Sequence, residues 1–92
     1  MHSIGEVVKQ FEFHVPPLLH RIKGKIVKYT SAEGEVSYHW SISHYYKPSE
    51  GAAGVYFPSH VTDSSLEHAE MSFRAYAENF VPDYEVVAHD GF

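Results

Sequence analysis

The eight histidines of this 92-residue chain are the side chains best suited to metal binding or proton transfer. Imidazoles two apart on a strand, or three or four apart on a helix, point to one side and can share a metal. The histidines stand at positions 2, 14, 20, 39, 44, 60, 68 and 89, and no two differ by two, three or four. No metal site and no cofactor are expected; the alternative is a site assembled from distant segments, such as His60 with Asp63. Full protonation of the histidines would move the formal charge from −5 to +3, so association is expected to change near pH 6.

Nucleophilic catalysis has less support. No Gly-x-Ser-x-Gly elbow occurs. Ser41 and Ser43 alternate on what should be the polar side of a strand, and Ser64 is explained as a helix cap. Glu67 and Glu70 share a helix side expected to face water. Gly51 and Gly54 frame two alanines, which is no phosphate-cradling loop. The balance is against an enzyme; the enzymatic alternative uses His44 or His60 as acid or base.

What remains is an aromatic turn, His44-Tyr45-Tyr46-Lys47-Pro48-Ser49-Glu50-Gly51-Ala52-Ala53-Gly54-Val55-Tyr56. Tyrosine offers a wide apolar face and a hydroxyl at low entropic cost, which suits contact surfaces. In the plainer reading, Tyr46 and Tyr56 simply pack across a hairpin. In the functional reading, His44, Tyr45, Tyr46, Lys47, Tyr56 and His60 contact a ligand or partner.

The elements that must position these residues follow from periodicity. Glu35 to Tyr46 alternates strictly, with Val36, Tyr38, Trp40, Ile42, His44 and Tyr46 on one parity, which predicts a long half-buried strand. Ile22–Tyr29 is a second strand, joined to it through Ala32-Glu33-Gly34. A three-residue loop with Gly34 left-handed makes paired numbers sum to 66, setting Ile26 opposite Trp40 and Gly24 opposite Ile42. The neighbouring register puts Ile26 opposite Ser41 and destroys the alternation. Gly24 then leaves room for a large neighbour, Trp40 or a helix residue. Gly54–Phe57, ended by Pro58, is expected as a third strand antiparallel to the long one. Tyr84–His89 is expected as the last strand, and these two as the sheet's edges.

Asp63–Phe80 is expected to be the main helix. Ser64 and Glu67 form a capping box, and Leu66, Ala69, Phe73, Tyr76, Ala77 and Phe80 make an apolar stripe. Glu70 and Arg74 can pair across one turn. Pro82 should stop the helix near Val81. At the N-terminus, Ser3 and Glu6 with the spacing of Ile4, Val7, Val8 and Phe11 predict a short helix at 4–10, followed by an extended stretch at 11–15. Pro16-Pro17 breaks the pattern.

These elements give one α+β domain over residues 1–92, an antiparallel sheet whose apolar face carries the helix. The expected core is Ile26, Trp40, Ile42, Leu66, Phe73, Tyr76 and Phe80. The chain has no cysteine, which excludes disulfides and thiolate chemistry and points to the cytoplasm. No apolar run is long enough to span a membrane, and Met1–Gln10 lacks a signal-peptide core. Charge is uneven: residues 1–60 carry six Lys/Arg and five acids, residues 61–92 seven acids and only Arg74. An acidic chain repels phosphate backbones, so a nucleic-acid partner is not expected, a local contact through Lys23, Lys25 and Lys28 aside.

The segment SHYYKPSEGAAGVYFPS followed by LEHAEMSFRAYAENF resembles small proteins carried on bacterial mobile gene cassettes of the integron type, over about residues 38–85. The resemblance implies a bacterial, cytoplasmic accessory protein and carries over no site residue. The sequence reading is therefore a non-catalytic interaction module that self-associates as a homodimer. The alternative is a small-ligand or peptide binder using the Tyr45–Tyr56 hairpin.

Overall fold

The computed structural model describes residues 4–58 and 61–92. The elements in chain order are β1 (Ile4–Phe13), β2 (Ile22–Thr30), β3 (Val36–Ile42), β4 (His44–Tyr46), β5 (Thr62–Asp63), α1 (Leu66–Glu78) and β6 (Val86–Ala88). A four-stranded antiparallel sheet runs β1-β2-β3-β5, and β4 pairs with β6 in a separate two-stranded ladder. The fold is α+β, with α1 packed on one face of the larger sheet.

The β2–β3 register is the one alternation selects: Ile26 faces Trp40 and Gly24 faces Ile42. Gly34 takes a φ of 87°, the left-handed conformation that closes the turn without a Cβ clash. Its N–H donates to the Ser31 carbonyl at 3.0 Å, and the Ser31 N–H donates to the Glu35 carbonyl at 2.8 Å. Gly24 makes room for a helix residue, Phe73, whose Cε1 lies 2.2 Å from where a Cβ would stand. Ile26, Trp40, Ile42, Phe73, Tyr76 and Phe80 are buried with Ile22, Tyr46 and Ala69 in one cluster, and Leu66 is half-buried against it.

The N-terminal segment corrects the expectation of a helix. Residues 4–13 form a strand paired with β2 along its whole length. The pairing sum changes between Val7 and Lys9, so Val8 is a bulge. One extra residue switches the parity, so Val7 pairs with Val27 on the open face while Phe11 and Phe13 join the helix side. A bulged strand with apolar residues at 4, 8 and 11 mimics helical spacing. Ser3, the expected cap, lies outside the described residues.

The long strand also departs from expectation, because it breaks at Ser43. In a regular ladder the Lys23 N–H would donate to the Ser43 carbonyl. Instead it donates to Ser43 Oγ at 2.8 Å, and the freed carbonyl accepts the His89 N–H at 2.8 Å. The serine side chain thus hands the chain from β2 to β6. Gly54–Phe57 is not a strand; it contributes one bridge, Tyr56 to Tyr46. β3 pairs with β5 instead. The edges of the larger sheet are therefore β1 and β5.

The helix is shorter than expected at both ends. Ser65, not Ser64, is the N-cap, its Oγ accepting the His68 N–H at 3.4 Å. At the other end Asn79 caps the Ala75 carbonyl with its side-chain amide at 2.7 Å, and Phe80 turns into the core. Glu70 does pair with Arg74, at 2.8 Å, and also with Lys9 of β1. Those two cations, Lys9 foremost, hold the Glu70 carboxyl below its ordinary range. No helix among the described residues is long and apolar enough to cross a membrane.

Candidate functional site

The residues singled out in the aromatic turn separate into distinct environments. β4 alternates, so Tyr46 turns toward the helix and Tyr45 away from it. Tyr46 is buried, its ring 4.9 Å from both Tyr76 and Phe80. Tyr56 crosses to it, with the Tyr56 N–H donating to the Tyr46 carbonyl at 2.8 Å and the rings 6.4 Å apart, edge to face. The two tyrosines thus pack across the bridge, while Tyr56 keeps nearly half its surface exposed.

Tyr76 of α1 ties this turn to the helix. Its hydroxyl donates to the Tyr56 carbonyl at 2.6 Å and accepts the Tyr46 N–H at 3.3 Å. Burial pushes the Tyr76 phenol far above its ordinary value, and pushes Tyr46 up as well. Both are phenols raised by burial, Tyr76 hydrogen-bonded to backbone on two sides, and neither is suited to acid–base work near neutral pH. Between the 47–58 loop and the helix lies an open groove of about 650 Å³, walled by Trp40, Tyr46, Tyr56, Tyr76, Pro48 and Pro58. Its polar fringe is Ser72 and Asn79.

On the opposite side, Tyr45 packs on Phe57 at 4.9 Å and on His89 at 5.0 Å. The His89 Nδ1–H donates to the Ile42 carbonyl at 2.9 Å, because a carbonyl can only accept. His39 Nδ1 meets Thr62 Oγ1 at 3.1 Å. Burial first, then the charge of His89, lowers the His39 pKa. A smaller recess of about 240 Å³ lies between them.

His44 belongs to a third place. Its ring stacks on His20 at 4.5 Å, and its Nδ1 lies 2.8 Å from Ser43 Oγ. Burial, then His20, lowers its pKa. Lys47 donates its backbone N–H to the Glu85 carbonyl at 2.8 Å. His60 lies outside the described residues. Among the described residues, no three His, Asp or Glu side chains gather as a metal ion would require.

Sequence reasoning missed three contributors. Trp40 and Tyr76 are expected only as core residues, yet their edges wall the groove. Leu19 stands fully exposed on the loop after β1. Its signal is Pro16-Pro17-Leu18-Leu19, an apolar run in a segment that should be polar, but in the sequence it registers only as a break in pattern. Comparison with protein-family models, with curated proteins and with solved structures found no match.

Proposed function

We propose that this chain is a non-catalytic accessory module that self-associates, the Pro16–Leu19 loop of each copy docking in the aromatic groove of the other. The observation carrying this reading is that one chain holds both an aromatic groove and a fully exposed apolar knob on a braced loop. Val15 and Leu18 pack against the core, the Leu18 N–H donates to the Val15 carbonyl at 2.9 Å, and His14 Nε2 donates to the Leu18 carbonyl at 2.8 Å. Leu19 is left projecting into water, on a loop whose conformation is already fixed.

Proline rings and leucine pack well on the faces of tyrosine and tryptophan, and a loop already held in place loses little entropy on binding. Charge favours the same match. Residues 13–28 contain Arg21, Lys23, Lys25 and Lys28 and no acid, while residues 61–92, which supply the helical wall of the groove, carry a net −6. The free edge of β1 is a poorer contact. Its Val8 bulge and its charges at Glu6, Lys9 and Glu12 are features that discourage strand addition.

Burying Leu19 is worth about 1.5–3 kcal/mol. Two such contacts in a two-fold dimer supply about 3–6 kcal/mol, toward the ~8 kcal/mol of a micromolar complex. Proline packing and charge add to this, and the proposal expects a weak dimer, no tighter than micromolar. A cytoplasmic setting and carriage on a bacterial mobile cassette belong to this proposal and agree with the resemblance of residues 38–85. The test is complementation. Leu19→Asp removes the knob and Tyr56→Asp spoils the groove, both at exposed positions. Each variant alone should be monomeric with an unchanged circular dichroism spectrum. Their equimolar mixture keeps one intact knob and one intact groove, so it should associate more strongly than either variant alone and far more weakly than the unaltered chain. Variants that remain dimeric separately, or a mixture that associates no more strongly than either variant at millimolar concentration, would overturn the proposal.

A further inference from the structure

A third cleft, lined in part by Ser43, carries a different chemistry. It has a volume of about 530 Å³ and lies where the end of the loop after β1, the start of β2 and the bend before β4 meet. We infer that this cleft, formed by His20, Arg21, Lys23, Ser43 and His44, binds the phosphate group of a small organic phosphomonoester. The inference does not rest on the dimer proposal, although Arg21 and Lys23 also belong to the basic segment invoked there.

The first argument is the inventory of donors. Arg21 offers a planar fork and Lys23 an ammonium, and among the described residues the one acidic side chain lining the cleft is Glu12. Glu12 sits 3.7 Å from Arg21 Nε, a loose and exposed pair. Lys23 has no carboxylate partner among the described residues. With both imidazoles neutral, these side chains sum to +1; with both protonated they sum to +3. The chain as a whole is acidic, so this local excess runs against its overall sign.

The second argument is the imidazole stack. Two rings of the same potential charge lie 4.5 Å apart at 28°, and neither is paired with a carboxylate among the described residues. Ser43 Oγ is already held by the Lys23 N–H, so the hydroxyl is fixed in place beside His44 Nδ1. When His44 is protonated, Nδ1–H donates to Ser43 and Nε2–H is left for a ligand. The ring nitrogens of His20 have no hydrogen-bond partner among the described residues. Mutual repulsion opposes double protonation of the stack, and a bound dianion would relieve it. Charge-assisted bonds of this kind are the stronger class of hydrogen bond.

The third argument concerns the organic part. Phe92 lines one side of the cleft. Lys25 fixes it, donating to the Phe92 carbonyl at 2.8 Å with its ammonium 4.7 Å from the ring centre. Bare phosphate would leave most of the cleft and this aromatic face unused, whereas an aryl or similarly flat phosphomonoester would cover it.

Among the described residues the charged side chains lining the cleft beside the stack are Glu12, Arg21 and Lys23, and imidazole is the side-chain type whose charge changes between pH 6.0 and 7.5. Sulfate, dianionic throughout that range, therefore isolates the contribution of the imidazoles. Imidazole NMR titrations at both pH values should show saturable shifts confined to His20 and His44. Sulfate should bind about tenfold more tightly at pH 6.0, because one histidine proton is taken up with it. Phenyl phosphate should bind more tightly than sulfate at the same pH. The double variant Arg21→Gln/Lys23→Gln should lose at least tenfold in affinity, while Glu12→Gln should gain several-fold. Lys28→Gln, which removes one positive charge outside the cleft, should change little. Shifts that do not saturate, an equal loss in Lys28→Gln, or phenyl phosphate no tighter than sulfate would each overturn the inference.

Discussion

Gly24 and Phe73 offer the sharpest test of how the helix is seated on the sheet. A Cβ on residue 24 would stand 2.2 Å from Cε1 and 2.3 Å from Cζ of Phe73. Ordinary carbon contacts lie at about 3.5–4.0 Å. The ring cannot simply retreat, because Phe11 stacks on it at 4.6 Å and Trp40 meets it edge-on at 5.8 Å. Overpacking of this kind costs about 1–3 kcal/mol, and the overlap places Gly24→Ala at the upper end. Removing a strand glycine returns about 0.5–1 kcal/mol, for a net loss of about 2 kcal/mol. Phe73→Ala, at a nearly inaccessible position, should cost about 3–5 kcal/mol. In the double variant the methyl introduced at position 24 enters the space the ring has left, so its steric cost disappears. The double variant should therefore lie about 2–3 kcal/mol more stable than the sum of the single changes predicts. Urea denaturation of the four proteins, with two-state extrapolation, measures this coupling directly. Phe73→Leu provides the same cycle if Phe73→Ala does not fold. Additivity within about 0.5 kcal/mol would refute the claim that Gly24 exists to admit Phe73.

Three other expectations follow from single contacts. Ser43→Ala leaves the Lys23 N–H without its acceptor and should cost about 1–3 kcal/mol, with faster amide exchange at Lys23 and His89; unchanged exchange at both would contradict the strand-transfer role. His39 and His44 titrate lower in the folded chain than in the unfolded one, so the unfolded chain takes up protons first. Their contribution to stability is complete above about pH 6.5 and is lost as pH falls through their folded values, and the double variant His39→Gln/His44→Gln should flatten that slope in chloride buffer. Glu70 is depressed in the same sense, so its contribution holds above about pH 4.3 and vanishes below, and Glu70→Gln should remove that acid-side decline.

Much of the frame was legible because its signals were local. The β2–β3 register followed from one left-handed glycine and a strict period of two. The helix followed from an apolar stripe that had to meet that sheet, and even the gap at Gly24 was visible as a missing side chain opposite Ile42. What failed depended on partners distant in the chain. Residues 4–10 satisfy a helical pattern only because the Val8 bulge spaces apolar residues of a strand by three and four, and pairing with β2 overrides the local preference. The break at Ser43 rests on a hydroxyl replacing a carbonyl in a ladder, which alternation does not register. The tyrosines of the turn stand together in the sequence, but parity divides them: Tyr46 and Tyr56 face the groove and Tyr45 faces His89. His20 could not be matched to His44 from spacing, because a separation of 24 residues is bridged only by the β2–β3 hairpin.

Whether the exposed Leu19 of one copy enters the aromatic groove of another decides the proposed function. Sedimentation equilibrium of the unaltered chain at pH 7.5, from about 1 to 500 μM, bears on it most directly, with Leu19→Asp run beside it. The expected result is a monomer–dimer equilibrium of micromolar strength, closed at two copies, that Leu19→Asp weakens at least tenfold. A monomer throughout that range, or a dimer that Leu19→Asp leaves intact, would contradict it.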